Sequence, residues 1–325
     1  MNTFLDQFDD LFMTGEPVNP EAGEDNMFGA VGENCAAIGV FDGCHGLGSR
    51  KYPVFHQHTG AYMSSRCISG AVRDWFMDTC GSGLPAPEEM ASGIRNYITE
   101  AFATCTAYVP QTGNLKGSLR RDFPATFTLA LMEEGEKNFF DLHIFTAGDS
   151  RIYLLNPEGL AQLSVDDTCS NDALWSLRHD PPMTNVVSSD GRYDLNWRKF
   201  RLRLPFAVIT ATDGCFAYVP TPMDFEDMIL EAMTTSKTPD LFEKNLQRRF
   251  SQTAQDDSCF GWMSAGFGSF QNMKKAMTGR SKTVKDSFIK TRPDLMNDKK
   301  NEEIWEIYRK GYERYLPEET QTGRT

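Results

Sequence analysis

The sequence predicts an α+β fold in which antiparallel sheet carries helices on its outside, and three observations predict it. Strand-like segments come in runs joined by short turns, amphipathic helices come in pairs after those runs, and helices do not alternate with single strands as in βαβ units. Acidic residues recur where the strand-like segments stop, so one end of the sheet collects negative charge.

Each element follows from its own pattern. Between residues 26 and 42, NMFGAV and CAAIGVFD flank Gly32, Glu33 and Asn34, which reads as strand, tight turn and strand ending at Asp42. Residues 61–79 carry Met63, Cys67, Ile68, Val72, Trp75 and Phe76 at spacings of three and four, an amphipathic helix. A second helix is expected over 87–105, opening at Pro87, Glu88 and Glu89. ATFTLALME, NFFDLHIFTAG and RIYLLN then read as three strands joined by short turns. FAVITATD is a further strand ending at Asp213, and SCFGWM is a last one that starts directly after Asp256 and Asp257. Helices are expected near 225–234 and 239–254, whereas 164–200, with DPP and SSDGRYD, has no clean period and reads as a loop-rich insertion or flap.

Composition changes after about residue 263, which divides the chain into an expected domain over 1–263 and a basic, largely helical C-terminal extension over 264–325. Residues 271–325 hold 13 Lys and Arg against nine Asp and Glu, so the overall net charge of -12 joins an acidic body to a basic tail. Ile304, Ile307, Tyr308, Tyr312 and Tyr315 fall on one helical face of that tail. Such a stripe suits either docking in cis or binding a partner protein.

The 325 residues, 40% of them hydrophobic, suffice for one large or two ordinary domains. An excess of 45 Asp and Glu over 33 Lys and Arg argues against nucleic acid or a membrane surface as partner. The opening MNTFLDQFDDLF lacks a basic n-region, and the longest apolar runs, CAAIGVF and PFAVITA, fall far short of the roughly 20 residues of a membrane span. A cytoplasmic protein is therefore expected. Its eight cysteines are scattered without a CxxC pair, the pattern of reduced thiols rather than of a disulfide framework or a zinc site.

The carboxylates at the strand ends carry the chemistry. Asp42 follows GVF and precedes Gly43, Asp149 follows IFTAG, Asp213 follows VITAT and precedes Gly214, and both Asp256 and the pair Glu24–Asp25 stand directly before strands. A single Asp in such a place is usually a turn former. Five sites beside the most strand-like segments would repel one another unless a divalent cation neutralised them. All-oxygen ligands select Mg²⁺ or Mn²⁺, and a pair of such ions promotes phosphoester hydrolysis. Gly43 would let its carbonyl approach a metal closely.

GVFDGCHG at 39–46, ATFTLALM followed by FTAGDSRIYLL, TATDGCF at 210–216 and QDDSCFGWM at 255–263 occur in an order and spacing that resemble the metal-dependent protein phosphatases, the protein phosphatase 2C family. GED at 23–25 and LSVDDT at 163–168 extend the resemblance, which covers about residues 15–263. It implies a four-layer α-β-β-α sandwich of two antiparallel sheets flanked by helices, with metals in a cleft at one end. It implies a serine/threonine phosphoprotein phosphatase using two Mn²⁺ or Mg²⁺ ions, with a third in some relatives. By position, Asp42 would bridge both metals, Gly43 would offer its carbonyl, and Glu24 would hold the second metal. Asp213 and Asp256 would hold the first, and Asp149 the third.

Two departures bear on activity. Relatives usually carry a phosphate-gripping Arg four residues before the motif Glu, where this sequence has Pro20; Arg50, beyond the DG loop, is the candidate to contact substrate phosphate instead. A His usually follows the DG, but here Cys44 intervenes and His45 comes one later, in place to protonate the leaving group. His56 and His58 could flank the site, and Asp257 replaces a common Asn. A Walker A reading of GCHGLGSR lacks its lysine. Two functions remain open: an active phosphatase, or a weak or inactive relative that binds phosphoprotein or another partner, with the tail either regulating in cis or recruiting that partner.

Overall fold

The computed structural model describes residues 4–81, 83–109, 122–292 and 298–317. Its strands are β1 (Phe8–Glu16), β2 (Asn26–Val31), β3 (Cys35–Phe41), β4 (Lys51–Tyr52), β5 (His58–Thr59), β6 (Phe127–Glu134), β7 (Phe139–Ala147), β8 (Arg151–Asn156), β9 (Gly159–Gln162), β10 (Asn196–Arg203), β11 (Phe206–Ala211) and β12 (Ser258–Ala265). Two five-stranded sheets form, ordered β1-β12-β11-β8-β9 and β10-β7-β6-β3-β2, and β4 pairs β5 in a small ribbon. Every pairing is antiparallel.

The strands β3, β6, β7, β8, β11 and β12 are buried on two faces, and the period of two sorts their side chains. Ala36 and Ile38 of β3, Val208 of β11 and Met263 of β12 meet in the core between the sheets. Their neighbours Ala37, Ile209 and Trp262 point the other way, into two outer cores. Helices α2 (Gly60–Thr79) and α3 (Pro87–Ala107) cover one sheet with Ile68, Val72, Trp75, Ile94 and Ile98, where full burial of each such side chain stabilises by about 1.5–3 kcal/mol. The layers are therefore helix, sheet, sheet, helix. Three short helices stand at or near the sheet ends: α1 (His45–Gly48), α4 (Ala173–His179) and α5 (Asp213–Phe216).

The other sheet is covered by α6 (Pro222–Thr235), α7 (Pro239–Thr253), α8 (Phe270–Thr283) and α9 (Asp298–Tyr312), with a π-helical turn over Val284–Ile289 after α8. The extension shares this core: Met273, Met277, Ile304, Trp305, Tyr308 and Tyr312 are buried with Phe242 and Trp262. It is pinned by a buried polar node. The fully buried Glu226 carboxylate accepts the Leu160 N–H, two bonds from Arg280 and the Tyr308 hydroxyl, at 2.7–3.0 Å. Of the expected stripe, Ile307 instead faces out at 66% exposure, and Tyr315 meets Phe200 edge-on.

Five strands, β1, β9, β10 and the two-residue β4 and β5, are absent from the sequence reading. β1 is hidden by Asp9 and Asp10, which interrupt its alternation; Asp9 turns out to accept the backbone N–H groups of Phe267 and Gly268 just past β12. β10 begins inside the expected flap, and its Arg198, Lys199, Arg201 and Arg203 suit an edge strand, where charge discourages pairing with another chain. The short β9 was not anticipated, and β12 runs to Ala265, past the compositional boundary. Among the described residues no helix is long and apolar enough to cross a membrane.

Candidate metal centre

Strand register brings the acidic residues together. Asn26 pairs with Phe41, so Asp25 before β2 and Asp42 after β3 are neighbours at one end of a hairpin. In the facing sheet Ala211 pairs with Phe260 and the Thr212 N–H donates to the Cys259 carbonyl, which sets Asp213 beside the Asp256–Asp257 approach to β12. Asp149 lies in the turn between β7 and β8. Thr126 ties that turn to the end of β3, accepting the Asp42 N–H at 3.1 Å while its hydroxyl oxygen stands 2.7 Å from that of Ser150.

The electrostatics follow from crowding carboxyls in a dry place. Burial first, then Asp25, Asp149 and Asp256, raise Asp42 well above the usual carboxylate range. Burial likewise raises Asp213, helped by Asp42, Asp149 and Asp256, and raises Asp25, helped by Asp213 and Asp257. Asp149 is pushed up to about 6 by burial and Asp166, against the pull of Arg151. That guanidinium is already committed: it forms a buried two-pronged pair with Asp166 at 2.7–3.2 Å and lies over the Phe216 ring. Asp256 is raised chiefly by burial.

Glu24 sits at the rim. Both its oxygens are 3.0 Å from His45 Nδ1, and Oε1 also accepts the Thr59 hydroxyl. His45 is 68% exposed, so Nε2 is the ring atom left for solvent or substrate. The inserted Cys44 starts α1 and is buried, its thiol raised far up by burial and by Asp42, Asp149 and Asp213, which removes it as a nucleophile. The Glu24 loop is held from three sides. Asp257 accepts the N–H of Val18 at 2.7 Å and that of Glu24, Arg66 donates to the Gly23 carbonyl at 2.8 Å, and Ser65 donates to the Glu24 carbonyl.

The glycines are demanded by backbone contact. A Cβ at Gly43 would stand 2.7 Å from the Ala61 carbonyl oxygen and 2.8 Å from that of Glu24, and one at Gly214 would stand 1.9 Å from the Asp257 oxygen. Arg50 lies over the Tyr52 ring and 3.9 Å from Asp122. His58 stacks on Tyr62, and His56 closes a turn with a left-handed backbone. The flap docks beside Asp149, since Asp167 accepts the Gly148 N–H along with Asn185 and Asn196 amides.

Asp25 stands in this cluster although the ligand set implied by the resemblance leaves it out, and the roles of Thr126, Thr59 and Ser65 come from the fold alone. Asp25 had a signal, its place directly before a strand. The hydroxyls had none, because their roles exist only once distant segments meet.

These residues pass a chemical test for a hard cation. Asp25 Oδ2 and Asp213 Oδ1 are buried without a hydrogen-bond partner, an expense unless something positive faces them. Among the described residues, no group of three or more His, Cys, Asp or Glu side chains is arranged to hold a metal by itself. Mg²⁺-like ions, which keep several waters and take few protein ligands, do not need such a cage.

No protein-family model matches the sequence, and a comparison with curated proteins finds no match. The structure, however, is similar to solved phosphatases. The serine/threonine phosphatase Stp1 from Staphylococcus aureus superposes with a TM-score of 0.56 at 17% identity, over 79% of this chain and 94% of that one. The PPM Ser-Thr phosphatase MsPP from Mycobacterium smegmatis, in complex with cacodylate, gives 0.53 at 12% identity, over 80% and 99%. The catalytic domain of the serine threonine protein phosphatase PstP, in complex with 2 manganese ions, gives 0.50 at 18% identity, over 79% and 98%. The chain thus has the fold of the PPM, or protein phosphatase 2C, enzymes.

Proposed function

We propose that this protein is a Mn²⁺- or Mg²⁺-dependent serine/threonine phosphoprotein phosphatase. One observation carries the reading: buried carboxyls from both sheets converge at one end of the sandwich, with Asp25 Oδ2 and Asp213 Oδ1 unpartnered. The neighbours' fold and the manganese bound in one of them support it.

In this reading Glu24, Asp42, the Gly43 carbonyl, Asp213 and Asp256 would hold two ions, Asp149 would serve a third, and Asp25 would add negative charge beside Asp42. When bound, such ions would supply Lewis acidity toward phosphoryl oxygens and lower the pKa of a nearby water. The chain's own residues do the rest. Glu24 faces Nδ1 of His45 at 3.0 Å, which orients the ring and leaves Nε2 as the atom that can hand a proton to the leaving serine or threonine oxygen. Thr126 and Ser150 hold the Asp42 and Asp149 segments together, and Asp257 and Arg66 fix the loop that presents Glu24. Arg50 is the candidate contact for substrate phosphate.

Release of nitrophenol from its phosphate ester should appear on adding Mn²⁺ and vanish in Asp213→Asn; no release at millimolar Mn²⁺ would remove the enzymatic claim. The second reading, a phosphoprotein-binding module with little turnover, draws on Pro20 and on the placement of Arg50 beside Asp122. It predicts metal binding without hydrolysis.

A further inference from the structure

Helices α2 and α3 lie side by side on the outer face of one sheet, and at their contact Cys67 Sγ and Cys105 Sγ stand 2.7 Å apart. That is inside ordinary non-bonded contact and about 0.7 Å beyond a disulfide bond. Both side chains are half-buried, whereas Cys35, Cys44, Cys215 and Cys259 are buried in the body of the protein. The pair also lies next to the site's scaffold, because Cys67 follows Ser65 and Arg66, whose side chains hold the Glu24 loop.

We propose that Cys67 and Cys105 are a peroxide-responsive dithiol that closes to a disulfide between α2 and α3. The contact itself prepares the chemistry. Sharing a hydrogen bond with Cys67 lowers the Cys105 thiol and raises Cys67, so Cys105 is the member that reaches the thiolate state. The Cys105 thiolate attacks one oxygen of hydrogen peroxide and the O–O bond breaks. Sulfenic acid and hydroxide result. Cys67 sulfur then attacks the Cys105 sulfur, expelling a second hydroxide, which with the thiol proton leaves as water. Overall two thiols lose two electrons and two protons, and one peroxide becomes two waters. The product cross-links a helix that carries part of the Glu24 support, and the proposal does not depend on the phosphatase reading.

The test uses the full-length protein and stoichiometric hydrogen peroxide, followed by alkylation under denaturing conditions and peptide mass spectrometry. Alkylatable thiols should fall from the eight of the sequence to six, with one linked peptide pair containing Cys67 and Cys105 and reversal by dithiothreitol. Cys67→Ser should leave a sulfenic acid on Cys105 that dimedone captures, and Cys105→Ser should give neither the cross-link nor a dimedone adduct at Cys67. Because the wild-type peptide map needs no variant, a misfolded mutant does not excuse a negative result. Retention of both thiols while the exposed Cys169 oxidises, or a disulfide joining two chains through Cys169, would overturn the proposal.

Discussion

The side chain of Asp257 accepts the backbone N–H of Glu24, 233 residues earlier in the chain, and its other oxygen accepts the N–H of Val18. The approach to the last strand thereby fixes the loop that presents a candidate ligand. Charge-assisted bonds of this kind contribute about 1.5–3 kcal/mol each. Asp257→Ala should therefore lower stability by about 3 kcal/mol and weaken Mn²⁺ binding, read by denaturant unfolding and by metal titration of the same variant. Unchanged metal affinity would separate the loop clamp from the site.

The raised carboxyls make an unusual pH dependence. A carboxyl whose folded value lies above its unfolded one adds stability below the unfolded value and loses it as pH rises through the folded value. For Asp149 that window runs from 3.8 to about 6, and Asp25, Asp42 and Asp213 shift in the same direction. The contribution of Asp149 to the metal-free protein should therefore fall between pH 3.8 and about 6, and those of Asp25, Asp42 and Asp213 should likewise fall as pH rises. Asp213→Asn should raise the melting temperature of metal-free protein at pH 8 while abolishing the rise that Mn²⁺ gives to wild type. A lower melting temperature for the variant in chelator would contradict the electrostatic account.

His45 is expected to matter according to the leaving group. Serine oxygen needs a proton as it departs, whereas nitrophenolate does not. His45→Gln should reduce kcat on a phosphoserine peptide by about 10²-fold, within the usual range for general acid catalysis, and change nitrophenyl phosphate turnover far less. Equal losses on both substrates would assign His45 to positioning of Glu24 alone.

The C-terminal extension should prove inseparable from the domain. Arg280→Met leaves the fully buried Glu226 without its cation, a change that costs about 3–5 kcal/mol when a buried pair is broken. Deleting residues 264–325 would expose the core that Trp305, Tyr308 and Tyr312 help to close, and should yield aggregated protein rather than a regulated or deregulated enzyme. Soluble, cooperative unfolding of the truncated chain would refute this.

The central strands and the convergence of the candidate carboxylates were legible because each obeys a local rule. β3, β6, β7, β11 and β12 are apolar on two faces, and Asp42, Asp149, Asp213 and Asp256 stand where such runs stop. β1 was not legible, since Asp9 serves a turn beyond β12 that only pairing brings near. Nor was Trp305, which belongs to the buried face of α9 although the tail around it is polar. The support given to Glu24 by Asp257, Ser65 and Arg66 rests on contacts between segments about 40 to 230 residues apart, which no periodicity encodes.

The central claim is that the converged carboxyls hold catalytic cations, and phosphate release from a phosphoserine peptide against Mn²⁺ concentration tests it most directly. The wild type should show a saturable, chelator-reversible rise that is lost in both Asp42→Asn and Asp213→Asn. Release that is independent of added metal and resistant to chelator, or no release at millimolar Mn²⁺ from protein that binds the ion, would contradict it.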